Sequence, residues 1–413
     1  MSDVVRSSVE SEPIWRRPEV QAAPFPFRTF IKLAARQWRS GVFEITPPDG
    51  APIVIRGPEP GPHGRLVVRD YRFVGRVLTS GDIGFAEGFM AGEWDTPDLS
   101  ALLEVLALNY ERLTGLVKGK PLVRALNLMV HALRRNSRAG ARKNIQAHYD
   151  LGNSFYEQWL DETMTYSSAR FETADQPLSD AQRRKYRTLA QAMDLREGHH
   201  VLEIGCGWGG FAEFAASEVG AKVTGVTISP SQHEFAVKRL ADKGLSDRAE
   251  IRLIDYRDVE GSFDRVASIE MFEAVGEEYW PAYFGKIRDV LKPGGRAALQ
   301  IITIRDDSFD EYRRRMDFIQ KYVFPGGVLP SERRLKEATA RASLSWDGVE
   351  RFGVCYADTL KLWAQRFQGA WETIRPLGFD ERFRRLWLFY LAYCEAGFRT
   401  GRTNVIQLAL GRA

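Results

Sequence analysis

The stretch "VLEIGCGWGGF", residues 201–211, joins a short run of strand-forming residues to a turn rich in glycine. Gly205, Gly207 and Gly210 are spaced as G-x-G-x-x-G, after a predicted strand and before a predicted helix. Glycine has no side chain, so the backbone of such a turn can approach a bound nucleotide closely. The stretch therefore predicts a strand–turn–helix unit that binds a nucleotide.

The residues that follow alternate between short β-forming runs and helical stretches. The further runs are "KVTGV" (222–226), "EIRLI" (250–254), "RVASI" (265–269) and "RAALQII" (296–302). This alternation predicts an α/β fold with a doubly wound parallel sheet. Aromatic-rich helical stretches after the fifth run, such as "TLKLWAQRFQGAWETI", predict helical insertions that form a lid at the sheet's active edge.

Two nucleotide cofactors are compatible with the glycine turn. NAD requires an acidic residue at the end of the second strand, and "VTGVTIS" (223–229) contains none. Glu203 instead precedes the first glycine by two residues. A strand, an acidic residue and G-x-G are typical of S-adenosylmethionine-dependent methyltransferases, so the stretch favours that cofactor over NAD.

Acidic residues also follow the third and fourth strands. Asp255, in "DYRD", lies where such folds hold adenine, and a helix cap is the alternative interpretation. Glu270 and Glu273, in "SIEMFEAVG", lie at the carboxyl edge of the sheet, where doubly wound folds place their chemistry. Apolar neighbours of Glu273 indicate a buried functional carboxylate rather than a solvated turn.

Length and composition limit the architecture and the compartment. A chain of 413 residues predicts more than one domain. No apolar run spans a bilayer, and the N-terminus lacks the apolar core of a signal peptide. Three scattered cysteines argue against disulfides and favour the cytoplasm. The histidines show no ligand spacing, so no metal site is expected.

The domain organisation follows from shifts in composition. Residues 1–28 are rich in Ser, Pro, Arg and Glu and predict a disordered leader. Residues 29–115 read as short strands, turns and a helix capped by Asp98 or Ser100, which predicts a small α+β domain. Residues 116–145 predict a basic helical connector, and residues 146–413 form the α/β domain.

Taken together, the motifs resemble the cyclopropane fatty-acyl-phospholipid synthase family, which includes the mycolic acid cyclopropane synthases. The resembling stretches include "NIQAHYDLGNSFYEQWLDETMTYSSARF", "VLEIGCGWGGFAEFAA", "SIEMFEAVG", "RFGVCYADTLKLW" and "FYLAYCEAGFR". The resemblance implies a Rossmann-like methyltransferase sheet and a lipid-binding role for residues 29–115. It also implies methyl transfer to a double bond in a phospholipid acyl chain, through a carbocation, giving a cyclopropane.

The resemblance also assigns residues to the site. It places at the cofactor Tyr166, Ser167, Gly205, Gly207, Thr227, Ile228, Gln232, Tyr256 and Arg257. Other expected cofactor contacts are Glu203, Cys206, Gly209, Ser229, Asp255 and Glu270. The expected catalytic positions, several of which hold bicarbonate in the family, are Glu273, Tyr356, Ser168, Gln300, Ile302, Cys394 and His148. Cys394 is not expected to act as a nucleophile, because this chemistry needs no covalent enzyme intermediate.

Two of these positions depart from the family. Ser168 stands where cysteine is usual, and Gln300 stands where histidine is usual. Both can still donate hydrogen bonds to an anion, but Gln300 cannot titrate near neutral pH. A proton that leaves from another position after methyl transfer gives a methyl-branched unsaturated chain, such as a furan fatty acid precursor. The sequence leaves both products open.

The expected partner is a phospholipid bilayer, bound peripherally at the inner face of the membrane. The basic segments 133–143 and 311–321 suit anionic headgroups. A homodimer is a further expectation, and nucleic acid is not an expected partner. The competing hypotheses are a methyltransferase acting on nucleic acid or a small molecule, and a lipid-binding scaffold without activity.

Overall fold

The computed structural model describes residues 13–48, 50–117 and 151–413. The chain divides into two compact units, residues 1–123 and 124–413. Within the described residues, no helix is both long enough and apolar enough to cross a membrane.

The first unit combines a small sheet with helices. Its strands are β1 (Ser40–Thr46), β2 (Ile53–Arg56), β3 (Glu59–Val68) and β4 (Trp94–Asp95), in the order β2-β1-β3-β4. Its helices are α1 (Pro18–Ala22), α2 (Phe25–Gln37), α3 (Arg72–Ser80), α4 (Asp82–Met90), α5 (Leu99–Leu108) and α6 (Tyr110–Val117). In β1, Phe43 and Ile45 are buried and alternate with less buried residues, because successive side chains of a strand point to opposite faces.

Two predictions about the first unit have different outcomes. The predicted cap is confirmed, because the Asp98 side chain accepts a hydrogen bond from the N–H of Ala101 at the start of α5. The prediction of a disordered leader is wrong for residues 18–28, which belong to α1 and α2. Val20 and Phe27 are fully buried there, so a few apolar residues outweigh the polar composition. From residue 118 on, the predicted connector lies outside the described residues.

The second unit contains a sheet of seven strands in the order β10-β11-β9-β8-β5-β6-β7. The strands are β5 (His200–Ile204), β6 (Lys222–Thr227), β7 (Ala249–Leu253), β8 (Phe263–Ile269), β9 (Leu291–Ile304), β10 (Leu344–Arg351) and β11 (Thr403–Arg412). The five predicted strands, β5 to β9, are confirmed and run parallel. The sequence analysis missed β10 and β11, which run antiparallel at one side and make the sheet mixed.

Helices cover both faces of this sheet, as a doubly wound fold requires. The helices are α7 (Asn153–Glu157), α8 (Leu178–Ala192), α9 (Gly210–Phe214), α10 (Pro230–Asp242), α11 (Trp280–Val290), α12 (Asp306–Tyr312), α13 (Phe318–Tyr322), α14 (Glu332–Arg341), α15 (Gly353–Gly369), α16 (Trp371–Ile374) and α17 (Glu381–Arg399). Val201 packs in the core formed with α8, α9 and α10, whereas Leu202 packs in the core formed with α11 and α14. The predicted helical insertions are present as α12, α13 and α15 to α17.

Candidate active site

The glycine turn follows β5 and adopts backbone conformations that favour glycine. Gly205, Gly207 and Gly209 have φ values of 78°, 51° and 80°. The N–H groups of Gly205 and Cys206 both donate to the carbonyl of Val226, which ties the turn to the end of β6. Apart from chain neighbours, no described atom lies within 4 Å of the place that a Cβ would take at Gly207. The turn therefore leaves its backbone open to a ligand.

Glu203 lies in β5 immediately before this turn and is buried. Burial raises the pKa of its carboxyl to about 8, although the charges of Arg239 and Lys185 oppose this shift. Its Oε2 atom has no hydrogen-bond partner among the described residues. A buried acceptor without a partner is costly, so this oxygen fits a ligand that donates a hydrogen bond. The predicted S-adenosylmethionine carries such donors.

Four more predicted cofactor residues lie at the end of β6 and the start of α10. The Thr227 hydroxyl donates to Oε1 of Gln232 at 3.0 Å and accepts from the N–H of Ser229 at 3.2 Å. The Ser229 hydroxyl in turn caps α10. Ile228, between them, is half-buried. These hydrogen bonds hold the segment in one conformation before any ligand binds.

The side chains of Asp255 and Arg257 form an ion pair just after β7. Two parallel hydrogen bonds, of 2.8 and 2.7 Å, join the guanidinium to the carboxylate. Asp255 also accepts from the N–H of Arg257 and so caps the turn Tyr256–Asp258, which confirms the cap interpretation. Tyr256 is buried, and burial raises the pKa of its phenol to about 12. Contact of these residues with adenine stays a prediction.

Glu270 follows β8 and has a left-handed backbone, with φ at 48°. Its Oε1 accepts hydrogen bonds from the N–H of Ser168 at 2.9 Å and from Nε2 of Gln300 at 2.7 Å. Its Oε2 accepts from the Tyr356 hydroxyl at 2.7 Å. Ser168, Gln300 and Tyr356 are three of the positions predicted to hold bicarbonate. Glu270 thus lies among the predicted catalytic positions, and its contact with the cofactor stays a prediction.

Glu273 contacts the main chain of Ile302, which was also predicted to hold bicarbonate. Its Oε1 accepts from the N–H of Ile302 at 2.5 Å, and its Oε2 has no partner among the described residues. Burial, together with the nearby charge of Glu270, raises the pKa of Glu273 to about 8. The five positions predicted around bicarbonate therefore lie together. Their donors are already engaged by two carboxylates of the chain itself.

The segment "MTYSSARF", residues 164–171, runs along this cluster. The Tyr166 hydroxyl lies 2.8 Å from the Tyr390 hydroxyl. The Ser167 hydroxyl accepts from Nζ of Lys185 at 2.6 Å, and the Ser167 carbonyl accepts from Nε2 of Gln182 at 3.0 Å. The Ser168 hydroxyl donates to the carbonyl of Ala169. Its side chain therefore points its donor away from Glu270, and only its backbone serves the carboxylate.

The sequence analysis missed three polar residues of the site. Lys185 and Gln182 lie in α8, and Gln407 lies in β11 with its Nε2 3.1 Å from Oε1 of Gln300. All three are buried. For α8 a signal was present, because both residues continue a helical stripe of buried side chains from Leu178 to Leu189. A lysine inside an apolar stripe is unusual unless it has a partner.

Aromatic rings from α7, the segment after it and α15 surround Tyr166. The aromatic cage consists of Tyr156, Trp159, Tyr166 and Trp363. Its ring centroids lie 5.2 Å apart for Tyr166 and Trp363 and 5.7 Å apart for Trp159 and Tyr166. The indole N–H groups of Trp159 and Trp363 are buried and have no partner among the described residues. The cage offers π faces that can stabilise a cation and exclude water.

The last two predicted catalytic residues have different outcomes. Burial raises the pKa of the Cys394 thiol well above its usual range, which disfavours the thiolate that a nucleophile requires. His148 lies outside the described residues.

Comparisons with known proteins find a matching family, similar sequences and a similar structure. Residues 136–408 match the family model described as mycolic acid cyclopropane synthetase. The chain is 42% identical over 347 residues to the tuberculostearic acid methyltransferase UfaA1 of Mycobacterium tuberculosis, covering 82% of this chain and 80% of that protein. It is 34% identical over 377 residues to the cyclopropane-fatty-acyl-phospholipid synthase of Escherichia coli, covering 88% and 91%. The crystal structure of mycolic acid cyclopropane synthase CmaA1 complexed with SAH and CTAB superposes with a TM-score of 0.62 at 30% identity, covering 66% of this chain and 98% of that chain.

Proposed function

We propose a specific acceptor and a specific product for this S-adenosylmethionine-dependent methyltransferase, which belongs to the mycolic acid cyclopropane synthetase family. The acceptor is a double bond in an acyl chain of a membrane phospholipid. The product is a methyl-branched unsaturated chain. The observation that carries this product is the Glu270 carboxylate, which takes up the donors of Ser168, Gln300 and Tyr356.

The chemistry divides between the cofactor and the chain's own residues. When bound, S-adenosylmethionine supplies an electrophilic methyl group, and its transfer to one alkene carbon leaves a carbocation on the acyl chain. Glycine backbone at residues 205–209 holds the cofactor, with Glu203 as a hydrogen-bond acceptor. The aromatic cage stabilises the cation with its π faces and keeps out water, which otherwise adds to it.

Glu270 then removes a proton from the cationic chain. The new O–H bond forms on the carboxylate, and the electron pair of the broken C–H bond becomes the double bond of the product. A proton next to a carbocation is very acidic, so the position of the base matters more than its strength. Glu270 is fixed by three hydrogen bonds, and a fixed base selects one proton.

Bicarbonate does not fit this site as a second base. The N–H groups of Ser168 and Ile302, the Gln300 amide and the Tyr356 hydroxyl already donate to Glu270 or Glu273, and the Ser168 hydroxyl donates to the carbonyl of Ala169. A further anion beside the Glu270 carboxylate meets like-charge repulsion in a buried environment. We therefore assign no step to bicarbonate.

A cyclopropane product is the second candidate. It is supported by Glu273 and Ile302, two positions that the family resemblance assigns to bicarbonate and that lie in contact, and by the Escherichia coli relative that is named as a cyclopropane synthase, which aligns with most of the chain. Against it stand Glu270 at the anion position and the methyltransferase name of the Mycobacterium relative.

The proposal includes the location of the substrate. A phospholipid acceptor requires the protein to bind a bilayer peripherally, which we place at the cytoplasmic face of the membrane. The basic segment 311–321 supports this, because it exposes Arg313 and Arg314. Attraction of such residues to anionic headgroups is worth about 1 kcal/mol per charge.

Isotope labelling of the methyl group tests the product. The full chain is incubated with vesicles of unsaturated anionic phospholipid and S-adenosylmethionine carrying a trideuterated methyl group. Loss of a chain proton leaves all three deuterons in the lipid, whereas ring closure loses one. We expect full retention by mass spectrometry and olefinic signals by NMR. Lipid that has lost one deuteron and shows cyclopropane signals supports the second candidate, and unlabelled lipid refutes both.

A further inference from the structure

Lys185 is a fully buried lysine that has no role in the chemistry proposed above. It lies in the middle of α8 with 0% of its surface exposed. Its Nζ donates to the Ser167 hydroxyl at 2.6 Å and lies 4.8 Å from the ring centre of Tyr186. Neither a hydroxyl nor a ring neutralises an ammonium group. A buried lysine is stable in its charged form only when carboxylates compensate it.

Three buried carboxylates interact with the charge of this ammonium, and the residue after its partner Ser167 donates its N–H to one of them, Glu270. They are Glu270 after β8, Glu203 in β5, and Asp161 in the segment between α7 and α8, and each interacts with the charge of Lys185. Asp161 is held by the hydroxyl and the N–H of Thr163. Glu203 also faces Arg239. Glu270 has only neutral direct donors, and among the described residues no cation forms an ion pair with it.

One amide connects Lys185 to the Glu270 cluster. Nε2 of Gln407 donates to the backbone carbonyl of Lys185 at 3.1 Å and to Oε1 of Gln300 at 3.1 Å. Gln300 donates through its own Nε2 to Glu270. Since Gln407 occupies the amide oxygen of Gln300, the amide nitrogen must point at the carboxylate. The backbone that carries the ammonium and the donor of Glu270 are thus held together.

We propose that Lys185 is a positioning residue whose ammonium keeps the Glu270 carboxylate ionised and able to accept a proton. This role rests on the proposed function, in which Glu270 is the base. Lys185 does not touch the reacting carbons; it acts through Glu270.

The electrostatics of the pair agree with this role. Burial raises the pKa of Glu270, and the charge of Lys185 opposes that rise. Burial lowers the pKa of Lys185 to about 7, and the three carboxylates oppose that fall. Other groups facing Glu270 are the Tyr356 phenol and Glu273, and neither supplies a positive charge. Without the ammonium, Glu270 holds its proton to higher pH, and a protonated carboxyl cannot accept another.

The test compares Lys185→Met with Gln182→Met as a matched control. Both residues are fully buried in α8 and each donates one hydrogen bond to Ser167, but only Lys185 is charged. We expect the acidic limb of the kcat profile to move to higher pH by about one unit in Lys185→Met and to stay in place in Gln182→Met. Binding of S-adenosylmethionine, measured by calorimetry, should weaken similarly in both variants. An unshifted limb in Lys185→Met, or an equal shift in both variants, overturns the role.

A double-mutant cycle with Glu270→Gln isolates the coupling. If Lys185 acts through Glu270, adding Lys185→Met to Glu270→Gln should lower kcat by no more than about twofold further. Losses that multiply instead refute the coupling.

A spectroscopic measurement covers the case in which Lys185→Met does not fold. The infrared difference spectrum between the wild-type protein and Glu270→Gln at neutral pH should show a carboxylate band, and a protonated carboxyl band refutes the role. The deuterium label distinguishes this failure from failure of the proposed function, because the label reports the product whatever the charge of Glu270.

Discussion

Replacing Glu270 tests whether the chain carries its own base. Glu270→Gln keeps the size of the side chain and one carbonyl oxygen for the donors of Ser168 and Gln300. The new amide nitrogen faces Tyr356, whose hydroxyl can rotate to accept a hydrogen bond. The site therefore keeps its shape but loses the proton acceptor. General acid–base catalysis contributes at least about 100-fold, so kcat should fall by that factor, which corresponds to about 2.7 kcal/mol of barrier.

The variant Glu270→Gly tests whether added bicarbonate can replace the carboxylate that Glu270 supplies. The residue has φ at 48°, a conformation that costs a residue other than glycine about 1 kcal/mol or more. Glycine removes this strain and leaves space in front of the donors of Ser168, Gln300 and Tyr356. Added bicarbonate then has the donors that Glu270 occupies in the wild-type protein.

The assay measures labelled lipid formed with and without added bicarbonate. We expect bicarbonate to raise the activity of Glu270→Gly at least about tenfold, since it restores a base where general base catalysis was lost. The same addition should leave the wild-type protein unchanged. Stimulation of the wild-type protein by bicarbonate, together with an active Glu270→Gln variant, contradicts the assignment of Glu270 as the base.

Three further predictions concern the cofactor turn, the cysteine and the pH dependence of stability. Gly207→Ala should weaken S-adenosylmethionine binding about tenfold in calorimetry. The control Gly294→Ala is also at positive φ but lies in β9. Both variants should lose about 1 kcal/mol of unfolding free energy through backbone strain, and only Gly207→Ala should also lose cofactor affinity. Cys394→Ser should keep kcat within about threefold, because no covalent intermediate forms; a loss of activity contradicts that mechanism. For Glu203, the pKa of about 8 in the folded protein exceeds the ordinary value of 4.5, so its contribution to stability is lost as pH rises between them. Between the lower and the upper end of this pH range, the free energy of unfolding of Glu203→Gln without cofactor should therefore rise by at least about 1 kcal/mol relative to that of the wild-type protein, as measured by denaturant unfolding. A difference between the two proteins that is equal at both ends of the range excludes this effect.

Local sequence patterns determined the elements that depend on local physics. Glycines at G-x-G predicted the turn after β5, since left-handed backbone there suits glycine. The runs of β-forming residues predicted β5 to β9, and Asp98 predicted the start of α5. The glycine turn and Glu203 favoured S-adenosylmethionine over NAD, and the family resemblance supplied the enzyme class. Composition did not indicate the helices α1 and α2, in which Val20 and Phe27 are buried.

Only the tertiary structure decided which groups Glu270 contacts. Its hydrogen-bond partners Tyr356, Ser168 and Gln300 are 86, 102 and 30 residues away along the chain. They meet because β8 and β9 end at the same edge of the sheet while α15 and the segment after α7 cover that edge. Glutamate rarely adopts a left-handed backbone, so the residue type at position 270 does not predict this conformation. The direction of the Glu270 side chain could therefore not be predicted from sequence. The sequence and its family resemblance predicted a methyltransferase site with two acidic residues; long-range packing decided which of them accepts hydrogen bonds from Ser168, Gln300 and Tyr356.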